Sequence, residues 1–214
     1  MSRSSIRQVL TDITYMIQIL NYGIGNVTAI SNFLYYAGFD NSIIEEPPTN
    51  LDGAKAIILP GVGSFDEGVK RLNEKGFSEY LVDKLKREVV IIGVCLGMQL
   101  LLDSSEEGKL KGLGFIPGVA RKLPENFLLG KPNCGWREIQ GFPTNKYIAT
   151  KTKAYFNHSY AVIASENPYS MAVLEREKSI SVAVQNERVF GFQFHPERSH
   201  KYGKEIFQNL FDKI

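Results

Sequence analysis

One stretch constrains this chain more than any other. Val89 to Val94, reading VVIIGV, runs straight into Cys95-Leu96-Gly97. A segment apolar on both faces suits a strand at the centre of a parallel sheet covered by helices. Leu96 to Leu102 then reads as a helix, so a buried strand passes into a helix with one nucleophilic residue at the joint. That layout resembles a nucleophile elbow, where a tight turn presents a side chain at the C-terminal edge of the sheet. Gly93 and Gly97 flank it, as a crowded backbone requires. At a helix N-terminus Cys95 also meets the positive end of the peptide dipoles, which favours thiolate. A buried structural cysteine is the alternative for a thiol taken alone; the elbow shifts the balance to a nucleophile.

The same alternation runs through the first half. Ile17 to Leu20 reads as a buried strand, with the first convincing strand residues near Met16. A turn with two glycines follows, Asn21 to Asn26. Val27, Ile30, Phe33, Leu34 and Ala37 then recur at helical spacing, with Asn26 as N-cap and Gly38 closing the helix. Ala56 to Leu59 is a second buried strand, ended by Pro60-Gly61-Val62-Gly63, and Phe77, Leu81 and Leu85 mark another helix. Strand–helix alternation of this kind argues for an α/β fold with a parallel sheet.

After about residue 112 the style changes. Tyr147 to Thr150, Ala154 to Val162, Ile180 to Gln185 and Arg188 to Phe194 read as strands, the last two as a hairpin. Residues 202–213 read as a closing amphipathic helix with Ile206, Leu210 and Lys213 in register. No repeat or linker interrupts the chain. Residues 16–214 are therefore expected to form one domain behind an N-terminal extension, residues 1–15, which lacks the apolar run and cleavage site of a secretory signal.

Composition excludes several classes. The net charge is only +2, with no Lys/Arg cluster interleaved with aromatics, so nucleic acid is not expected as a partner. No apolar run approaches the roughly 18 residues a membrane span needs. The two cysteines, Cys95 and Cys134, have no metal-ligand spacing and do not make a disulfide framework. A reducing, cytoplasmic setting with no metal or other cofactor is the expectation.

A thiolate nucleophile needs a proton-transfer partner. The three histidines are His158, His195 and His200. His195 ends a strand and precedes Pro196-Glu197. Pro196 holds His195 extended, and a proline bend can fold Glu197 back onto the imidazole, fixing its tautomer and stabilising its protonated form. His158, mid-strand in Tyr155-Phe156-Asn157-His158-Ser159-Tyr160, is the rival base but reads better as a hydrogen-bonded structural histidine. His200 lies in a polar segment and reads as a surface residue.

At this point the residues resemble a known family. GVCLGMQLL at 93–101, LPGVGSF at 59–65 and FQFHPERS at 192–199 resemble class I (triad) glutamine amidotransferases. With YGIGN at 22–26 and YFNHSY at 155–160, they are most similar to the glutaminase subunits of imidazole glycerol phosphate synthase. The resemblance implies a flavodoxin-like three-layer open sheet, mostly parallel, with antiparallel hairpins in the C-terminal half. It implies that Cys95 attacks the amide carbon of L-glutamine, that His195 moves the protons, and that Glu197 orients His195. Backbone N–H groups of Leu96 and of the Gly61-Val62-Gly63 segment would hold the oxyanion. Gln99, Glu107, Ser159 and Tyr160 match positions lining the glutamine pocket. The family's partner is a (β/α)₈-barrel cyclase, bound as a heterodimer, which receives the ammonia. Asn26, Trp136, Arg137, Tyr155 and Arg198 match residues facing it, although a core position is the alternative for Trp136.

The match is not uniform. Where the family shows Pro-His-Met-Gly-Trp-Asn, this chain has Pro132-Asn133-Cys134-Gly135-Trp136-Arg137, and the family often has Lys in place of Arg198. These departures put the partner in question, not the triad. A charged Arg137 set against a barrel built for Asn implies a compensating Asp or Glu across the interface. The alternative reading is a paralogous glutaminase feeding a nucleotide-sugar amidotransferase of surface-polysaccharide synthesis. A cysteine peptidase or γ-glutamyl hydrolase on a related fold is a third reading, disfavoured by Gln99 and the Pro-Gly-Val-Gly segment. A non-catalytic binding role is disfavoured by the complete triad.

Overall fold

The computed structural model describes residues 17–48 and 53–213. The expected N-terminal extension and Met16 lie outside the described residues. Five parallel strands form one half of the sheet: β1 (Ile17–Leu20), β2 (Asn41–Ile44), β3 (Ala56–Leu59), β4 (Val90–Val94) and β12 (Val189–Phe192), in the order β2-β1-β3-β4-β12. This is the flavodoxin-like order. Beyond β12 the sheet turns antiparallel through β11 (Glu177–Asn186), β10 (Ser170–Leu174), β7 (Asn133–Gly141) and β8 (Thr152–His158). Three shorter strands, β5 (Ser104–Ser105), β6 (Val119–Lys122) and β9 (Tyr160–Ile163), branch off β11.

Two cores sandwich the parallel half, as alternation along each strand requires. Ile17, Ile19, Ile58, Ile92 and Phe192 face α1 (Val27–Ala37) and α5 (His200–Phe211), which supply Ile30, Leu34, Phe207 and Leu210. Leu20, Ile57, Leu59 and Ile91 face α2 (Phe65–Glu74), α3 (Phe77–Lys86) and α4 (Leu96–Leu100), which supply Phe65, Leu72, Leu81 and Met98. The α1 boundaries follow the expected caps. The Asn26 side chain accepts from the Ala29 N–H, and Gly38 takes a left-handed conformation with φ 94°.

Several expectations need correction. Tyr147 to Thr150 is a loop, not a strand: the Asn145 side chain accepts from the N–H groups of Tyr147 and Ile148 and so replaces a ladder. Ala154 to Val162 is two strands, β8 and β9, parted at Ser159, whose carbonyl accepts from Leu123 N–H instead. The helix after Cys95 stops at Leu100, and the closing helix starts at His200 and ends before Lys213. Two elements were not legible. α2 carries few apolar anchors, with Gly68 packed against Leu100, and β2 is a half-exposed edge strand.

The strand-to-helix joint explains its glycines. A Cβ at Gly97 would fall 1.8 Å from the Leu59 carbonyl oxygen, backbone that cannot yield without moving β3. Gly97→Ala should therefore cost at least about 3 kcal/mol, roughly 10 °C in Tm for a chain of this size. Gly38→Ala, where the added Cβ meets nothing within 4 Å and only the positive φ is penalised, should cost about 1–2 kcal/mol. Thermal melts of both variants check the ranking; equal losses would contradict it.

Candidate active site

The turns after β1, β3, β4 and β12 gather at the carboxyl edge of the parallel strands, beside the β1/β3 switch point where such sheets bind ligands. They surround a cleft of about 690 Å³. Cys95, His195 and Glu197 line it, together with Gly61, Gly63, Leu96, Gln99, Glu107, Ser159 and Tyr160. Every substrate-pocket position implied by the resemblance thus meets in one place.

Cys95 sits at the elbow in a strained conformation, φ 55° and ψ −111°, immediately before α4. Its own N–H donates to Phe192 O at 2.8 Å, which locks the turn onto the end of β12. The thiol is nearly buried and points to the Asn157 carbonyl, 3.8 Å away.

His195 arrives from the neighbouring strand. Its backbone N–H still donates to Tyr155 O, and Pro196 then opens a single 3₁₀ turn, Pro196–Arg198. That turn swings Glu197 back, so that its Oε1 lies 2.8 Å from His195 Nδ1. With Nδ1 bound to a carboxylate, Nε2 is left for Cys95. Burial opposes a charge on this ring, but the Cys95 and Glu197 side chains outweigh it and push the His195 pKa up to about 10. The Glu197 side chain is itself buried, and its Oε2 has no protein partner among the described residues. An imidazolium is therefore the natural counter-charge for this carboxylate.

His158 lines the same cleft but is spoken for. Its Nδ1 lies 2.8 Å from Tyr160 O, a carbonyl that can only accept, so Nδ1 carries the proton. Nε2 then accepts from Asn133 Nδ2 at 2.8 Å. Burial pushes its pKa down to about 4, with the Tyr160 carbonyl opposing and His195 and Arg137 adding to the fall. A neutral ring with both nitrogens occupied is a structural histidine.

The segment that would supply oxyanion donors is pinned from below. The Tyr22 hydroxyl donates to Pro60 O at 2.5 Å, and burial, with Cys95 nearby, pushes that phenol far above its usual range. A Cβ at Gly61 would sit 2.8 Å from Gly97 N, so the segment lies directly against the start of α4. Glu107 accepts from Phe65 N–H at 2.9 Å and caps α2, a bond that Ser64 does not make. Tyr22 and Glu107 thereby hold the two ends of the segment. Among the described residues no group of three or more His, Cys, Asp or Glu could hold a metal.

Around the rim, Trp136 is 40% exposed, which removes the core reading for it. It stacks on His200 at 5.6 Å between ring centroids and meets Tyr155 and Tyr202 edge-on. The Arg198 guanidinium lies 4.0 Å over the Tyr155 ring. His200 is exposed, as the sequence suggested, and Asn26 is also on the surface. Arg137 departs from expectation. Its donors go to Asn133 Oδ1 and to the carbonyls of Trp136, Leu129 and Cys134, all within the chain. It clamps its own loop and so does not demand a carboxylate from a partner.

A family model for glutamine amidotransferase class-I matches residues 18–214. The chain belongs to the class I glutamine amidotransferases. Among the relatives of this amidotransferase is imidazole glycerol phosphate synthase subunit HisH 2 of Methanococcus maripaludis, 42% identical, with 91% of this chain and 98% of that protein covered. Subunit HisH of Bdellovibrio bacteriovorus is 38% identical over the same shares, 91% and 98%. Among solved structures, PurLQS from Thermotoga maritima superposes with a TM-score of 0.72 at 20% identity, covering 94% of this chain and 99% of that one. The glutaminase domain of Trypanosoma brucei CTPS superposes with a TM-score of 0.62 at 14% identity, covering 93% of this chain and 94% of that one. These last two likenesses establish the shared fold. Among the described residues no helix is long and apolar enough to cross a membrane.

Two residues at the site escaped the sequence reading. Asn157 offers its carbonyl to the thiol, and Gln193 sits behind it. Gln193 left a signal: it is the lone polar residue in VFGFQF, a run otherwise apolar throughout.

Proposed function

We infer that this chain is the glutaminase subunit of an imidazole glycerol phosphate synthase, hydrolysing L-glutamine to glutamate and delivering ammonia to a synthase partner in histidine biosynthesis. The observation that carries the chemistry is the convergence of Cys95, His195 and Glu197 from two adjacent turns of one sheet edge. Relatives at 38–42% identity, named as subunits of that synthase, support the pathway.

In this reading the Cys95 sulfur attacks the side-chain amide carbon of glutamine. The protonated Nε2 of His195 gives its proton to the departing nitrogen, and ammonia leaves a cysteinyl thioester. The neutral ring then takes a proton from water, which attacks the thioester; glutamate departs and the thiol is restored. The developing oxyanion is held by N–H groups of Leu96 and the Gly61–Gly63 segment, packed side by side. Glu197 keeps the ring in the productive tautomer throughout.

Ammonia in water near neutral pH is almost all ammonium, which is not a nucleophile. A glutaminase that feeds a synthesis must therefore pass its product to an acceptor site through protein, and a (β/α)₈-barrel cyclase seated over Trp136, Tyr155 and Arg198 suits that need. The test is complementation of a strain lacking the histidine-pathway glutaminase, with reconstitution on a cyclase. Growth without histidine, and glutamine hydrolysis that rises at least about tenfold when cyclase and its substrate are added, are expected. Failure to complement, together with tight binding to a nucleotide-sugar synthase, would overturn the pathway assignment; the relatives do not favour that outcome.

A further inference from the structure

Behind the nucleophile lies a buried pair of primary amides. Gln193 is 0% exposed and Gln99 is 4% exposed. The orientation of both is fixed by one atom, the Tyr160 carbonyl oxygen, which can only accept. Gln99 must turn its Nε2 toward it, at 3.1 Å, and the same Nε2 donates to Gln193 Oε1 at 3.0 Å. Gln193 is then left with its own Nε2 facing the Cys95 sulfur, 3.9 Å away. Its backbone cannot drift, because its N–H donates to Val182 O on β11 at 3.0 Å.

We propose that Gln193 is a positioning residue for Cys95, holding the sulfur for attack by donating an N–H to it and favouring its thiolate form. This rests on Cys95 being the nucleophile. As a thiol, Cys95 donates toward Asn157 O, 3.8 Å away. Once the proton leaves, that carbonyl repels the sulfur, whereas an N–H donor attracts it. Gln193 thus offers the thiolate a donor from the buried side that holds it in place as its former acceptor pushes it away. Packing alone would be met by an apolar side chain of similar volume; a buried amide aimed by a chain of hydrogen bonds is costly unless its donor is used. Gln99 deepens the same role: it lines the cleft with one edge and sets the orientation of Gln193 with the other.

The test is alkylation of Cys95 by iodoacetamide in a Cys134→Ser background, followed across pH with the modified peptide identified by mass. Gln193→Met keeps the shape and removes the donor. It should react about tenfold more slowly near neutral pH, with the gap closing in alkaline solution, where any thiol is ionised. Gln193→Glu should be slower still, since a carboxylate offers no donor and repels the thiolate. Gln99→Met, which leaves the sulfur untouched, should give a smaller slowing with the same dependence on pH, and it carries the test if Gln193→Met does not fold. A folded Gln193→Met or Gln99→Met that reacts at the parental rate, or is slowed equally at every pH, would overturn the proposal. If alkylation of Cys95 leaves glutamine turnover intact, the nucleophile assignment fails and this inference with it. If turnover is lost but the glutamine variants react normally, only the role of Gln193 fails.

Discussion

Cys95→Ala should lower glutamine-dependent turnover by about 10⁴-fold or more, since removing the nucleophile of a covalent mechanism removes the pathway and not one interaction along it. The synthase partner supplied with an ammonium salt should keep its activity, because ammonia entering from solution bypasses the missing thioester. The change should also be tolerated by the fold. The elbow is held by Cys95 N–H to Phe192 O and by the close contact of Gly97 with Leu59, neither of which uses the sulfur. Alanine does not relieve the positive φ of 55°, so any strain is common to both forms. A glutamine-mimicking electrophile should label Cys95 and spare Cys134, although Cys134 is the more exposed thiol. Preferential labelling of Cys134 would reverse the assignment.

The parts of this site that were legible in the sequence are those whose geometry leaves the chain little choice. A strand buried on both faces must be apolar throughout, and a helix starting within van der Waals contact of the next strand must carry glycine where Gly97 meets Leu59. Pro196 must end a ladder, and a glutamate one residue on must fold back or face away. Such constraints write themselves into residue type. The polar links behind the site do not. Arg137 read as a charge in want of a partner because its four oxygen acceptors come from Asn133 and three backbone carbonyls, and carbonyls have no sequence signature. Asn133 read as a departure in a docking loop, yet it lies fully buried, opposite His158 on the β7–β8 ladder, and bonds to that ring. Tyr147 to Thr150 has strand-like residues but is claimed by the Asn145 side chain two residues earlier. In each case a long-range or side-chain acceptor decided what local pattern could not.

The two histidines in the cleft give a sharper comparison, because they differ in what their ring nitrogens are free to do. His195→Asn should cut glutamine turnover by about 10²- to 10⁴-fold, the usual worth of a positioned acid–base group. It should lower kcat rather than raise KM, since the ring acts on the reacting atoms and not on the amino-acid end of the substrate. His158→Asn should stay within about tenfold of the parent when folded, because a ring with a pKa near 4 is neutral at neutral pH, with its one N–H given to Tyr160 O and its one lone pair taken by Asn133. Glu197→Gln should fall between them. An amide oxygen can still accept from Nδ1, but the charge that favours the imidazolium is gone, and the difference between a charged and a neutral hydrogen bond, about 1 kcal/mol or more, is roughly tenfold in rate. The same substitution should change the alkaline limb of the pH profile. With His195 held protonated up to about 10, the parent keeps its proton donor as pH rises until that value is passed. Without the Glu197 charge the ring should lose its proton at lower pH, so the loss of glutaminase activity should begin earlier. Steady-state kinetics of the three variants across pH, with melting curves to show that each is folded, decide the matter. A His158→Asn enzyme more damaged than His195→Asn, or a Glu197→Gln profile that does not move, would mean that the proton is carried by another group.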